Sequence, residues 1–169
     1  DFKTGVAPEG TKNKAFPFYG SEIKSQTRYI LDNLRTTFEA AGSSLENVVK
    51  AQVFLTDLRD FAAFDEVWKE YFPGNPPART TLEIPMLLAA GPDQLIEIDL
   101  IGHTNDVSHE VIKSDAPQPL ANYTEAFKVG NLIFAAGQLA SDFTTGVPPE
   151  AKTRPNFPYY GSNIKLQTR

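Results

Sequence analysis

The sequence contains no cysteine, one tryptophan and two histidines. Without cysteine, this stretch can form no disulfide, thiol nucleophile or thiolate metal site. No apolar run approaches the ~18 residues of a membrane-spanning helix, and the first residues lack the basic-then-apolar pattern of a secretory signal. His103 and His109 lie in a polar stretch, which favours an ordinary surface role over metal binding. We therefore expect no metal site.

Positive charge is also limited. Lys and Arg number 16 against 21 Asp and Glu, for a net charge of −5, and the basic residues are scattered along the chain. Nucleic-acid binding depends largely on neutralising phosphates with clustered Lys and Arg. We expect neither nucleic acid nor a membrane as a partner, and the lack of cysteine is compatible with a reducing location such as the cytoplasm.

A direct repeat links the two ends of the chain. Residues 1–28 align without a gap to residues 142–169, with 17 of 28 positions identical. The offset of 141 residues is the size of a whole domain rather than of a solenoid repeat. We expect a tandem duplication in which residues 1–101 form most of a first domain, residues 102–120 a linker, and residues 121–169 the opening of a second domain. The parent protein is then longer, and the chain begins and ends within a domain.

Periodicity predicts an alternation of helices and strands. Apolar residues at spacings of three and four indicate helices over Ser21–Ala41 and Phe61–Phe72. Alternating or β-branched runs indicate strands. The predicted strands are Val48–Leu55, Arg79–Ile84, Leu95–Ile101, Tyr123–Val129 and Leu132–Ala136. The last two flank Gly130-Asn131, a hairpin signal, and the 79–84 and 95–101 strands join through 89–92. This order predicts an α+β fold with two helices on one face of a mixed sheet.

Polar side chains alternate along two of the predicted strands. Arg79, Thr81 and Glu83 share one face of their strand, and Glu97 and Asp99 share one face of the next. An Arg held in a strand behind Pro76-Pro77 is suited to gripping a carboxylate, and a nearby carboxylate can orient water or move a proton. A cross-strand ion pair between Arg79 and Glu97 explains the same pattern without catalysis. The pattern alone favours that structural explanation.

Several motifs, in order and spacing, resemble the Rid family of YjgF-type reactive intermediate deaminases. The resemblance spans nearly the whole chain apart from the linker. It rests on Gln26-Thr27, Val48-Val49-Lys50, Val53-Phe54-Leu55, Pro77-Ala78-Arg79-Thr80-Thr81 and Ile96-Glu97-Ile98-Asp99-Leu100-Ile101 in the first unit, and on Tyr123, Gly130-Asn131 and Ala136-Gly137-Gln138 in the second.

The resemblance implies a chorismate-mutase-like α+β fold, assembly into a trimer or a pseudo-hexamer, and active sites between adjacent domains. It implies hydrolysis of carboxylate-bearing enamines and imines to 2-oxo acids and ammonia, a hydrolase reaction at a C–N bond with no metal or organic cofactor. Arg79 is then expected to bind the substrate carboxylate and Glu97 to position the attacking water. Tyr123, the backbone around Gly137, and Thr81 are expected to line the cleft.

The sequence also departs from the family pattern. Asp65, expected at the substrate site, replaces an Asn that is frequent in the family, and Thr81 replaces a frequent Cys or Ser. Aromatic loops at 8–20 and 149–161 are longer than usual; they either reshape the pocket or contact a neighbouring domain. Two alternatives to a deaminase stay open: a non-catalytic small-molecule-binding or assembly module, and an endoribonuclease, which the acidic charge disfavours.

Overall fold

The structure is a computed structural model, and it describes residues 21–87, 93–115 and 121–139. Two α-helices, six strands and two short 3-10 helices, Leu45–Asn47 and Leu58–Asp60, make up the regular structure of these parts. The α-helices and strands are α1 (Ser21–Ala40), β1 (Val48–Leu55), α2 (Phe61–Tyr71), β2 (Ala78–Glu83), β3 (Ile96–Gly102), β4 (Glu110–Ile112), β5 (Ala126–Val129) and β6 (Leu132–Ala135). The predicted elements of the first unit are confirmed with ends shifted by one residue at most. The aromatic loops, residues 1–20 of the first repeat copy, the whole second copy 142–169, and the join 89–92 lie outside the described residues.

The central sheet has the strand order β2-β1-β3. β1 and β2 run parallel, as expected for strands joined through a helix, and β1 and β3 run antiparallel. The sheet is therefore mixed, as predicted. β1 is its central strand, and its alternate residues Ala51, Val53 and Leu55 are fully buried.

Both helices cover one face of this sheet. Ile23 and Leu31 of α1 and Phe64, Val67 and Trp68 of α2 share one hydrophobic core with β1 and β3. The α+β prediction with two helices on one face is confirmed. Among the described residues, neither helix is apolar enough over its length to span a bilayer.

A second small sheet has the order β4-β5-β6 and contacts the central sheet. Phe127 and Ala136 of this part contact Val49 and Ala78 in a separate apolar cluster. The predicted hairpin is confirmed: β5 and β6 pair across the Gly130-Asn131 turn, and Gly130 has a φ of 56°, which glycine adopts without steric cost. β5 begins three residues later than predicted. β4 lies inside the predicted linker 102–120, so part of that segment forms a strand.

The two histidines join β3 to β4. His103 Nε2 and His109 Nδ1 lie 2.7 Å apart, and the backbone N–H of His103 donates to the carbonyl of Asn47. The ring of His109 also contacts Phe127 of β5 edge to face. Partial burial, together with the charge of His103, lowers the pKa of His109. The pair therefore connects the two sheets, and its surroundings favour the neutral form of His109.

The stability of the protein is expected to fall as the pH is lowered through about 6.5, the ordinary histidine pKa. The folded state holds the His109 pKa below that of the unfolded chain, so the unfolded chain binds more protons in this range. Urea unfolding of the wild type and of His109→Asn at about pH 7.5 and about pH 5.5 measures the effect. The variant should lose less stability than the wild type over this interval. An equal loss in both proteins would contradict the assignment to His109.

Candidate active site

Arg79 lies inside the core rather than on an open sheet face. Its backbone pairs with Ala51 of β1, so its side chain points to the face that the helices cover. The side chain is 1% exposed, and Nη2 donates to Oδ1 of Asp65 on α2 at 2.8 Å. A charge at this depth is tolerated only with a partner, because burying an unpaired ion costs several kcal/mol.

Aromatic rings surround the guanidinium. Its central carbon lies 5.0 Å from the ring centroids of Phe64 and Trp68, 5.5 Å from that of Phe61 and 5.9 Å from that of Tyr123. Three of these rings come from one side of α2, and the fourth comes from the segment before β5. Ring faces attract a desolvated cation by about 2 kcal/mol, so the aromatic rings compensate part of the lost hydration.

One guanidinium nitrogen stays without a hydrogen bond. Among the described residues, Arg79 Nη1 is the buried side-chain nitrogen that has no partner. Burial lowers the pKa of Arg79, and the hydrogen bond and charge of Asp65 oppose that shift. The group remains a cation, since arginine does not lose its proton in proteins. Nη1 is therefore a charged donor available to an acceptor.

Asp65 is shared by two cations. Its Oδ1 accepts from Arg79, and its Oδ2 lies 3.0 Å from Nζ of Lys69, one turn later on α2. The Asp65 side chain is only 8% exposed, whereas that of Lys69 is 59% exposed. The carboxylate is thus engaged at both oxygens, and its contact with Arg79 is made through Nη2.

The segment around β5 and β6 contacts the same arginine. Gly137 N donates to the carbonyl of Arg79 at 3.2 Å, and Thr124 N donates to the carbonyl of Pro76 at 3.1 Å. The indole N–H of Trp68 donates to the carbonyl of Asn122. The structure therefore brings Tyr123 and Gly137 together with Arg79 within one chain.

Glu97 lies apart from this group. It pairs with Phe54 of β1, whereas Arg79 and Thr81 pair with Ala51 and Val53. Alternate residues of β1 point to opposite faces, so Glu97 lies exposed on the face away from the helices. Thr81 shares the face of Arg79. The Arg79–Glu97 ion pair considered from the sequence does not form, because the guanidinium pairs with Asp65 instead.

Two features of the site were missed in the sequence. The apolar spacing over Phe61–Phe72 predicts a helix, but it does not show that the rings on that helix surround a cation. Lys50, on β1, donates to Thr80 Oγ1 at 3.0 Å and to the carbonyl of Ala135 at 2.7 Å, and burial lowers its pKa. A lysine in a largely apolar strand was the available signal for a partly buried polar contact.

Residues 4–104 match the model of the endoribonuclease L-PSP family. A RutC family protein of Pyrococcus horikoshii is 45% identical over 82 residues, which cover 48% of this chain and 63% of that protein. The mitochondrial protein mmf2 of Schizosaccharomyces pombe is 44% identical over 84 residues, covering 50% of this chain and 67% of that protein. The chain belongs to the endoribonuclease L-PSP family, also described as the YjgF, RutC or Rid family. It spans less than two thirds of the length of the Pyrococcus relative.

Solved structures of the family are also similar. RidA from an Antarctic Psychrobacter bacterium is 38% identical, with a TM-score of 0.44, and the match covers 47% of this chain and 63% of that one. Yeast Mmf1 is 28% identical, with a TM-score of 0.45, over 49% of this chain and 64% of that one. The family assignment rests on the family model and the sequence relatives rather than on these superpositions.

Gly137 is expected to require the absence of a side chain. A Cβ there would lie 2.9 Å from Thr80 Oγ1 and 3.2 Å from its Cγ2. Gly137→Ala should therefore lower the free energy of unfolding by about 1–3 kcal/mol, as overpacking usually does. Adding Thr80→Ala should recover part of the loss, a coupling that urea unfolding of the single and double variants detects.

Gly74→Ala is the matched control, since nothing lies within 4 Å of a Cβ at that exposed position. Additive losses in the Gly137 and Thr80 variants would show that the close contact does not limit this position.

Proposed function

We propose that this chain carries the substrate-binding part of a hydrolytic deaminase that converts enamine or imine acids to 2-oxo acids and ammonia. Arg79 binds the substrate carboxylate through Nη1, and the rings around it bind the rest of a small substrate. The observation that carries the proposal is the buried guanidinium with one nitrogen unpaired. A carboxylate oxygen is the acceptor that pairs most strongly with such a donor.

The reaction needs little from the protein beyond placement. An enamine acid gains a proton at carbon and becomes an iminium, whose carbon is electrophilic. Water adds to that carbon, a proton moves from oxygen to nitrogen, and the C–N bond breaks to leave the 2-oxo acid and ammonium. Holding the carboxylate and the water in the reacting geometry supplies much of the acceleration.

Substrate entry requires a movement, because the Arg79 side chain is 1% exposed. Three of the four rings around the guanidinium are on α2. The fourth, Tyr123, lies in the segment before β5, where it is half-buried. Displacement of that segment exposes the guanidinium and breaks two hydrogen bonds, from Trp68 to Asn122 and from Thr124 to Pro76. Thr81, on the same sheet face as Arg79, then lies at the edge of the opened site.

Glu97 is proposed to position water in a site formed between two copies of the chain. It is exposed and lies on the opposite sheet face from Arg79 of its own chain, so one chain cannot supply both groups to one substrate. Assembly of copies, as a trimer or a pseudo-hexamer, brings a second chain to the exposed face. An endoribonuclease, the activity in the family description, is disfavoured by the net charge of −5.

Arg79→Lys should abolish most turnover while keeping the fold. Lysine preserves the charge next to Asp65 but carries all its donors on one nitrogen, so the planar fork that presents Nη1 to the substrate is lost, whereas Arg79→Ala would leave that buried carboxylate unpaired. Loss of an ionic hydrogen bond worth about 3 kcal/mol corresponds to a fall in kcat/KM of roughly a hundredfold. The assay follows pyruvate from 2-aminoacrylate, formed in situ from serine by a dehydratase, with semicarbazide trapping unhydrolysed imine. Arg35→Lys, at an exposed ion pair, is the control, and full turnover in Arg79→Lys would refute the assignment.

Mixing two inactive variants tests the shared site. Arg79→Lys and Glu97→Gln should each be inactive alone, and co-refolding them should restore part of the turnover, because some interfaces then receive both native groups. Ligand binding with no turnover in the wild type would favour the non-catalytic binding module. If both single variants are inactive and their mixture recovers no turnover, the two residues do not meet in a site shared between copies, and the proposal is contradicted.

A further inference from the structure

We infer that Asp65 is a positioning residue for Arg79 that also sets how tightly the site holds a carboxylate, and that it does not contact the substrate. This inference rests on the proposed function. Both oxygens of Asp65 are already engaged, one by Arg79 Nη2 and the other by Lys69. A carboxylate so occupied has little capacity left for a substrate group.

The contact geometry gives Asp65 its positioning role. It engages one guanidinium nitrogen, at 2.8 Å, and leaves Nη1 unpaired. Because the guanidinium is planar and rigid, fixing Nη2 also fixes the direction in which Nη1 points. The rings of Phe64 and Trp68, at 5.0 Å, restrain the group but supply no acceptor in the plane of the fork. Asp65 is thus the side chain that orients the free donor.

The charge of Asp65 gives it a second effect. It lies against the guanidinium in a region that solvent barely reaches, so its negative charge acts on a bound carboxylate with little screening. Lys69 offsets part of that charge, but it is largely exposed and hence screened. The aspartate therefore weakens the hold on the substrate and on the 2-oxo acid product alike. Weak product binding favours release and turnover.

Three variants of the full chain separate orientation from charge. Asp65→Asn keeps an oxygen acceptor for Nη2 and removes the charge, whereas Asp65→Ala removes both. Asp32→Asn is the matched control, because Asp32 Oδ1 also accepts from an arginine Nη2 at 2.8 Å, but on α1 and in an exposed ion pair. The measurements are kcat and KM for 2-aminoacrylate, the Kd of pyruvate by calorimetry, and urea unfolding.

Asp65→Asn should bind pyruvate more tightly and show a lower KM, each by roughly fivefold to tenfold, with kcat unchanged or reduced by slower product release. Asp65→Ala should lose kcat/KM by about tenfold or more, because the guanidinium is no longer held in one orientation. Asp32→Asn should match the wild type. Rescue of the alanine defect by asparagine identifies positioning, which a purely stabilising role would not produce.

Other outcomes overturn the inference in distinct ways. Unchanged KM and pyruvate Kd in both Asp65 variants, with only lower stability, would reduce Asp65 to a structural residue. Loss of kcat in Asp65→Asn without tighter pyruvate binding would place the carboxylate in direct contact with the substrate. If the wild type binds pyruvate but does not hydrolyse 2-aminoacrylate, the proposed function fails while the order of pyruvate affinities still decides the role of Asp65. Absence of pyruvate binding in the wild type and in Asp65→Asn refutes the inference.

Discussion

The ion pair between Arg79 and Asp65 is the interaction on which the organisation of this protein depends. It lies inside the core where β2 meets α2, and a buried charge there is stable only while its partner is present. The position of α2 is therefore coupled to the position of the arginine. The aromatic side of α2 serves both purposes, since Trp68 packs in the core and also faces the guanidinium. Any change that shifts the helix also changes the electrostatic environment of the site.

The second constraint is the polar backbone beside β2. The carbonyls of Pro76 and Arg79 accept hydrogen bonds from Thr124 and Gly137, which lie on either side of the hairpin β5–β6. Unpaired backbone groups at a sheet edge favour recruitment of another strand. Here the recruited segment also delivers Tyr123 to the arginine. The same segment therefore covers the edge of β2 and supplies the fourth aromatic ring around Arg79.

The sequence predicted the elements of the first unit closely and their relations less well. Periodicity located β1 and α2 because burial imposes spacing directly on a helix or a strand. The same alternation places Arg79 on one face of β2 and Glu97 on one face of β3. It does not show whether these two faces lie on the same side of the sheet. That depends on the pairing of both strands with β1, and a shift of one residue reverses the side on which every side chain lies. The partnership of Arg79 with Asp65 depends on tertiary packing between residues 14 positions apart, which no local pattern encodes.

The β5–β6 hairpin follows the central sheet in the chain, and the edge of β2 can bind either this hairpin or one from another molecule. Which of the two binds depends on their relative concentrations at that edge. A hairpin of the same sequence on another molecule presents the same donors to the same edge. The hairpin and the central sheet belong to the same chain, and a covalent connection of this kind gives an effective concentration on the order of millimolar. Below that protein concentration the intramolecular arrangement dominates. Above it, exchange of hairpins between molecules becomes competitive without any change in the contacts made.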